Sequence, residues 1–275
     1  MQSWINTLAY LGLASTTFIN MALATTCPAE LTHVSPPHRV LLVELYTSEG
    51  CSSCPPADHW LSGLRSMDDN PNHLFEQIVP LSLHVDYWDY IGWKDRFASS
   101  VFSQRQRTQS ELAKNRVVYT PEVMVNGREA RSWQSLDRQW LQSKRAEMAA
   151  VQITLSAKSD ASTIPTMQLS ATIQPIPGVS NSTDLSGTQA YLAVFESGLK
   201  SQVRAGENAG SVLKHDFVVR QWIGPINLQQ GQGVVQAALN LSADAKREEL
   251  GLAAFVQQNN GEILQATAMP LCFSR

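Results

Sequence analysis

Apolar and polar positions divide this chain into two unlike halves. From Arg39 to about Ala150, continuous apolar runs alternate with stretches at helical spacing. "RVLLVELYT" (39–47) is rich in branched apolar residues without alternation, the pattern of a strand buried on both faces. "ADHWLSGLRSM" follows on a helical period, and "QIVPLSLHVDYW" reads as a second strand. Trp93 to Asn115 reads as helix, with Arg96, Arg105 and Arg107 on solvated faces. "EVMVNG" predicts a short strand with a turn at Asn126-Gly127, and "SWQSLDRQWLQSKRAEMA" a closing helix. That order predicts an α/β domain with a partly parallel sheet over 25–150. Beyond Val151 the period drops to two, in "VQITLSA", "MQLSATI", "AYLAVFE", "HDFVVRQW", "VVQAALNL", "GLAAFVQQ" and "ILQATAMPL". Short strands separated by polar, Gly and Pro clusters predict an all-β, antiparallel sandwich-like domain over 151–275.

The first residues stand outside both halves. The stretch 1–24 has no charged side chain and ends with small residues at Ala22 and Ala24, which predicts a secretory signal peptide cleaved after Ala24. Because no Lys or Arg precedes the apolar run, an uncleaved anchor stays open, as does a lipid-modified Cys27. The expected location is the periplasm or the secreted space, with no membrane contact after signal cleavage. A net charge of −3 with scattered Lys and Arg excludes nucleic acid as an expected partner. Export changes the reading of the cysteines, Cys27, Cys51, Cys54 and Cys272, since disulfides persist in oxidising compartments. The close pair Cys51/Cys54 leaves Cys27 and Cys272, near the two ends of the mature chain, for a structural disulfide. Two unrelated thiols are the alternative.

"YTSEGCSSCPPAD" (46–58) places a C-x-x-C between a strand and a helix. Unpaired N–H groups and the positive end of the dipole in a first helical turn favour a thiolate, and a second cysteine three residues on can close a small ring. Cys51 is then the exposed nucleophile and Cys54 the resolving thiol. Pro55 and Pro56 lack N–H groups and belong in the first helical turn, which favours a late helix start with the C-x-x-C turn wrapped over its end.

"LYTSEGCSSC" resembles the active-site strand and turn of glutaredoxins. "VVYTPEVMVNGRE" resembles their downstream Thr-x-Pro, strand, Asn-Gly element, with the spacer between Thr120 and Pro121 missing. The chain as a whole resembles an uncharacterised family of exported bacterial proteins, in which a thioredoxin-like half precedes a β-rich half. "TSEGCSSCPPAD", "LHVDYWDYIGWKD" and "YTPEVMVNG" carry that likeness. The resemblance implies a thioredoxin/glutaredoxin-like fold for 25–150 and a cis peptide before Pro121, with Pro121 against the dithiol. It also implies that Thr120 offers backbone to an extended substrate. "NGREARSW" lacks the Gly-Gly pair with which glutaredoxins bind glutathione, so glutathione is not implied as a specific ligand. Glu44 lies near, but offset from, the buried acid that thioredoxins place before the dithiol. A proton-handling role and a solvent-facing one are both open for it.

"HVDYWDYIGW" puts His84, Asp86 and Trp88 on one strand face by period two, at the strand edge that faces ligands in open α/β sheets. They predict either a wall of a substrate cleft, with His84 or Asp86 handling protons, or a buried polar cluster around Trp88 and Trp93. Farther on, Glu207, Asn208, His215 and Arg220 fall in a polar, Gly-rich stretch that reads as a long hairpin loop, with an interdomain contact or second pocket as the alternative. The expected function is thiol–disulfide exchange with a protein or small thiol or disulfide substrate and no cofactor. Cu(I) binding, with His59 and His84 joining Cys51 and Cys54, is a second expectation. A permanent Cys51–Cys54 disulfide in a binding module is a third. No resident metal is expected, because one C-x-x-C lacks the second pair that a zinc ribbon needs. Pro55 after Cys54 excludes covalent haem, and phosphate-loop, dinucleotide and nucleophile-elbow patterns are missing from the sequence.

Overall fold

The computed structural model describes residues 27–67, 71–136, 140, 147–159, 167–180 and 183–273. The signal peptide expected over 1–24 and half of the helix expected over 132–149 lie outside the described residues. In chain order the strands are β1 (Glu30–Val34), β2 (Leu41–Thr47), β3 (Ile78–His84), β4 (Glu122–Val125), β5 (Arg128–Glu129), β6 (Val151–Ser159) and β7 (Met167–Pro175). After them come β8 (Gln189–Glu196), β9 (Leu199–Gln202), β10 (Val212–His215), β11 (Val218–Asn227), β12 (Gly233–Ala238), β13 (Leu250–Gln257) and β14 (Ile263–Pro270). Among the described residues the α-helices with both ends in view are α1 (Pro55–Gly63), α2 (Pro71–Phe75) and α3 (Ser100–Leu112).

Eight strands form one mixed sheet in the order β14-β13-β8-β11-β3-β2-β4-β5. Only β2–β3 and β3–β11 pair parallel within it. An antiparallel four-stranded sheet, β1-β6-β7-β12, lies apart from it, and β9 with β10 makes a separate hairpin. This overturns the expected fold class, an α/β thioredoxin-like domain followed by an all-β domain. The chain is mostly β-sheet, and strands from before and after Ala150 share the large mixed sheet through Val218↔Ser82 of β11 and β3. Across the same boundary, β1 pairs with β6. The sequence pattern misled for a physical reason. An unbroken apolar run reports that both faces of a strand are covered, not what covers them or which strand lies beside it.

Here helices cover one face of the large sheet and the small sheet covers part of the other. Tyr191, Ala193 and Phe195 of β8 join Phe255, Leu61, Leu74, Phe75 and Phe102 on the helical side. Ala190, Leu192 and Val194 of the same strand meet Ile153, Leu155, Leu169 and Ile173 of the small sheet. β6 and β7 keep strict alternation because their outer face is wet. At the end of β4, Asn126 and Gly127 both adopt positive φ (49° and 79°), and a Cβ on Gly127 would lie 2.0 Å from the carbonyl oxygen of Gly261. Only glycine fits that turn. Cys27 and Cys272 form a disulfide with Cα atoms 5.7 Å apart, tying the chain ahead of β1 to the chain behind β14.

α3 is shorter than expected, and one of its arginines is not solvated. Ser99 caps it by accepting from the Val101 N–H, and residues 93–99 lead into it without forming helix. Arg105 is buried, its Nε donating to Glu44 Oε1 at 2.5 Å, while Tyr46 Oη donates to the same oxygen at 3.2 Å. The guanidinium also lies over the rings of Tyr191, Trp222 and Phe255. Glu44 is thus a buried partner of α3 rather than a solvent-facing acid.

Candidate functional site

The site is assembled where β2 ends and α1 begins. Pro55 and Pro56 take the first helical positions with Cys54 as the N-cap, so Cys51 lies just ahead of the regular helix. The backbone N–H of Cys54 bonds to the carbonyl of Cys51, and the N–H groups of Ala57 and Asp58 bond to that of Cys54. Cys51 and Cys54 are joined in a disulfide, Cα to Cα 5.4 Å. Both residues are 0% exposed, so Cys51 is not the open nucleophile that the motif suggested, while Ser52 and Ser53 between them face solvent.

Three segments surround this ring. The Thr120–Pro121 peptide is cis, and Thr120 is held from two sides. Trp88 Nε1 donates to its hydroxyl at 2.7 Å, and Ser53 Oγ, 3.3 Å from Cys51 Sγ, reaches its carbonyl at 3.5 Å. Gln106 of α3 fixes the same loop by donating to the Tyr119 carbonyl and to the buried Glu122 carboxylate, both at 2.7 Å. The β9–β10 loop supplies the third wall. Asn208, buried, donates to the carbonyls of Glu49 (2.9 Å) and Cys51 (3.0 Å), and Glu207 accepts from the Ser52 N–H at 3.0 Å. Gly206, at φ +75°, lets the loop settle against Ile91 and Trp93. The Gly-rich hairpin loop therefore touches the C-x-x-C turn directly. Arg220 takes no part in the site, pairing with Glu196 instead.

A buried polar cluster adjoins the disulfide. His84 Nδ1 lies 2.7 Å from Asp95 Oδ2, which also accepts the Glu49 N–H, and Asp95 Oδ1 accepts from the Phe97 N–H. Trp93 Nε1 donates to Glu49 Oε2 at 2.7 Å. His215 sits between carboxylates, its Nε2 3.4 Å from Glu49 Oε1 and its Nδ1 3.8 Å from Asp58 Oδ1. Burial alone would lower the His215 pKa, but Asp58 and Glu49 push it up to about 10. Burial would raise Asp95, yet the adjacent His84 and two backbone N–H groups hold its carboxyl below the ordinary range. Glu49 is likewise held below its ordinary value, against its burial, chiefly by His215.

Of the residues singled out from sequence, Cys51, Cys54, Thr120, Pro121 and Trp88 gather at one place. His84 and Asp86 do not share their surroundings with Trp88. β3 ends at His84, so period two stops applying there, and Asp86 turns to accept from Ser103 of α3. Glu44 lies with Arg105, and His59 is exposed on α1 rather than joined to the cysteines. Sequence reasoning missed Glu49, Asp58 and Asp95. The first two had a signal: acids two residues before Cys51 and one helical turn after Cys54, beside a motif expected to be dry.

Fold and site together define a β-rich protein of two large, unequal sheets and a separate two-stranded hairpin, with a disulfide-closed C-x-x-C turn roofed by the loop of that hairpin. Over residues 42–257 the sequence matches the family described as "Protein of unknown function (DUF1223)", and the chain belongs to that family. Among curated proteins none matches this chain. Two crystal or solved structures are similar to it. Protein AGR_C_4864 from Agrobacterium tumefaciens is 24% identical, with a TM-score of 0.54 over 84% of this chain and 94% of that one. HBP35 of Porphyromonas gingivalis is 13% identical, with a TM-score of 0.63 over 86% of this chain and 76% of that one. At such identities the likeness speaks to fold alone.

Proposed function

We propose that this chain is an exported thiol–disulfide oxidoreductase whose working group is the Cys51–Cys54 pair. The observation that carries the reading is the position of that disulfide, a four-residue ring at the first turn of α1 with the Thr120 carbonyl beside Ser53. The ring sits at the positive end of the α1 dipole, which favours a thiolate there, and the Thr120–Pro121 loop beside it offers backbone to an incoming chain. In exchange, the β9–β10 loop lifts from the buried ring, a partner thiolate attacks Cys51 Sγ, the Cys51–Cys54 bond breaks, and Cys54 leaves as thiolate. A second partner thiolate then attacks its own sulfur in the mixed disulfide and releases Cys51, so the partner is oxidised and the protein holds two thiols. Run in reverse, the Cys51 thiolate attacks a partner disulfide and Cys54 resolves it. The substrate is a protein or small thiol or disulfide. Two disulfides in one chain accord with an oxidising, exported location.

The complete burial of both cysteines favours one other reading, a permanent structural disulfide. Equilibration of the folded protein in thiol redox buffers, followed by alkylation and mass analysis, separates the two. An oxidoreductase reduces and reoxidises Cys51–Cys54 without loss of fold, and Cys54→Ser traps mixed disulfides through Cys51. Reduction of the pair only on unfolding would overturn the proposal.

A further inference from the structure

We propose that Asp58, His84 and His215 form a binding site for a divalent metal ion of the zinc type, between α1, β3 and β10. Each of the three offers one donor atom, and these atoms lie within 4.8 Å of one another in a wholly buried setting. Two imidazoles and one carboxylate are a donor set that zinc accepts, with a fourth tetrahedral position left open.

Orientation of the side chains points the same way. A metal-binding histidine characteristically gives its other ring nitrogen to a carboxylate, which fixes the ring and its tautomer. His84 does so with Nδ1, against Asp95 Oδ2 at 2.7 Å, and its Nε2 is buried with no hydrogen-bond partner. His215 sets Nε2 3.4 Å from Glu49 Oε1, and neither of its ring nitrogens makes an aligned hydrogen bond. Asp58 uses Oδ2 to accept from the Thr47 hydroxyl at 3.1 Å, which leaves Oδ1 on the His215 side. Both histidines thus carry a carboxylate behind them and a free nitrogen in front.

Charge and access agree with this arrangement. Glu49, Asp58 and Asp95 are all buried around the two rings, and buried carboxylates demand nearby positive charge. A dication supplies it at one point. A cleft of about 340 Å³ between α1 and β10, lined by Asp58, His59, Ser62 and His215, gives an ion a way in. Neither cysteine is in the donor set, so the site stands whether or not the disulfide cycles.

The test is titration of the metal-free, oxidised full chain with Zn(II), and with Co(II) as its spectroscopic substitute. One ion per chain should bind, Co(II) should show the visible bands of a four-coordinate site, and zinc-edge X-ray absorption should show nitrogen and oxygen at about 2.0–2.1 Å with imidazole scattering and no sulfur. As direct ligands, Asp58→Asn and His215→Gln should each weaken binding by more than the roughly 10–100-fold that loss of an outer-shell partner costs, while a Cys51→Ser, Cys54→Ser double variant should bind as the parent does. No stoichiometric uptake with zinc well in excess would overturn the site and leave a cluster held by protons alone. Sulfur in the coordination shell, or undiminished affinity in a folded His215→Gln variant, would overturn it equally. Should a variant not fold, the absorption spectrum of the parent protein decides.

Discussion

The two disulfides of this chain differ in span, in burial and in what surrounds them. Cys27–Cys272 spans 245 positions and joins the two ends of the described structure, and both of its residues are only partly buried. Cys51–Cys54 spans three positions, is entirely buried, and has Asn208, Glu207, Ser53 and Thr120 around it. In the chain-entropy model a cross-link stabilises by restricting the unfolded chain, increasingly with loop length, which gives about 5 kcal/mol for the long bridge and about 2 kcal/mol for the short one. The fold depends on the first far more than on the second. A bond that opens and closes in service has to be one whose loss leaves the fold standing, and by this measure only Cys51–Cys54 qualifies. Exposure alone would have chosen the other.

The largest effect expected is therefore at the chain ends. A Cys27→Ser, Cys272→Ser variant should lose about 5 kcal/mol in urea unfolding, with an m-value shifted because the unfolded chain is less constrained. A Cys51→Ser, Cys54→Ser variant should lose about 2 kcal/mol and keep the far-ultraviolet dichroism of the parent. If the short pair costs as much as the long one, the distinction between them fails, and Cys51–Cys54 becomes a structural bond.

How much of this comparison was legible beforehand depended on whether a signal was local. Cysteine spacing and the expectation of export suggested both pairings, and the proline doublet favoured a late helix start without fixing it, where the structure has Cys54 as the N-cap. The strands β2, β3, β6, β7, β8, β13 and β14 were visible as apolar runs or alternations, because each records its own burial. Which strand lies beside which was not visible. β3 borders β11 through Val218↔Ser82, and no periodicity within either segment encodes that pairing across more than a hundred residues. The α/β reading failed there, since the covering of a strand's second face by a sheet or by a helix leaves the same apolar run. Arg105 failed for a related reason. A cation on a helical period looks solvated until Glu44, fixed on β2 opposite α3, supplies its counter-charge. Asn208 and His215 were noticed as polar residues in a loop, but their roles belong to the carbonyls and acids they meet, which come from the other end of the sequence.

Asn208 gives the next smaller effect. It is the buried donor to the carbonyls of Glu49 and Cys51, so Asn208→Ala should cost about 1 kcal/mol as those acceptors lose their partner. If the loop must lift before a thiol can reach the ring, that same loss raises the open population about fivefold. Reduction of Cys51–Cys54 by dithiothreitol should quicken by that factor in Asn208→Ala, and reduction of Cys27–Cys272 should not change. An equal change at both bridges would mean that global unfolding, not the loop, governs access.

Glu207 gives the smallest effect and the finest one. Its carboxylate is fully exposed, so screening keeps the contact with the Ser52 N–H weak, and its consequence is local. Acceptance from the Ser52 side chain and backbone lowers the Glu207 pKa below its ordinary value. A carboxylate depressed in the folded state contributes fully above its unfolded pKa, and loses that contribution as pH falls through the folded one. The amide proton of Ser52 should therefore titrate in acid, with a midpoint below that of an ordinary glutamate, and Glu207→Gln should abolish the step. An unmoving Ser52 amide would detach Glu207 from the roof. In that case Asn208 and the packing of Gly206 on Ile91 and Trp93 hold the loop, and access to the short bridge should not respond to titration of Glu207. With the titration present, the two disulfides differ in a further respect: the short one lies under a contact that solvent conditions can loosen.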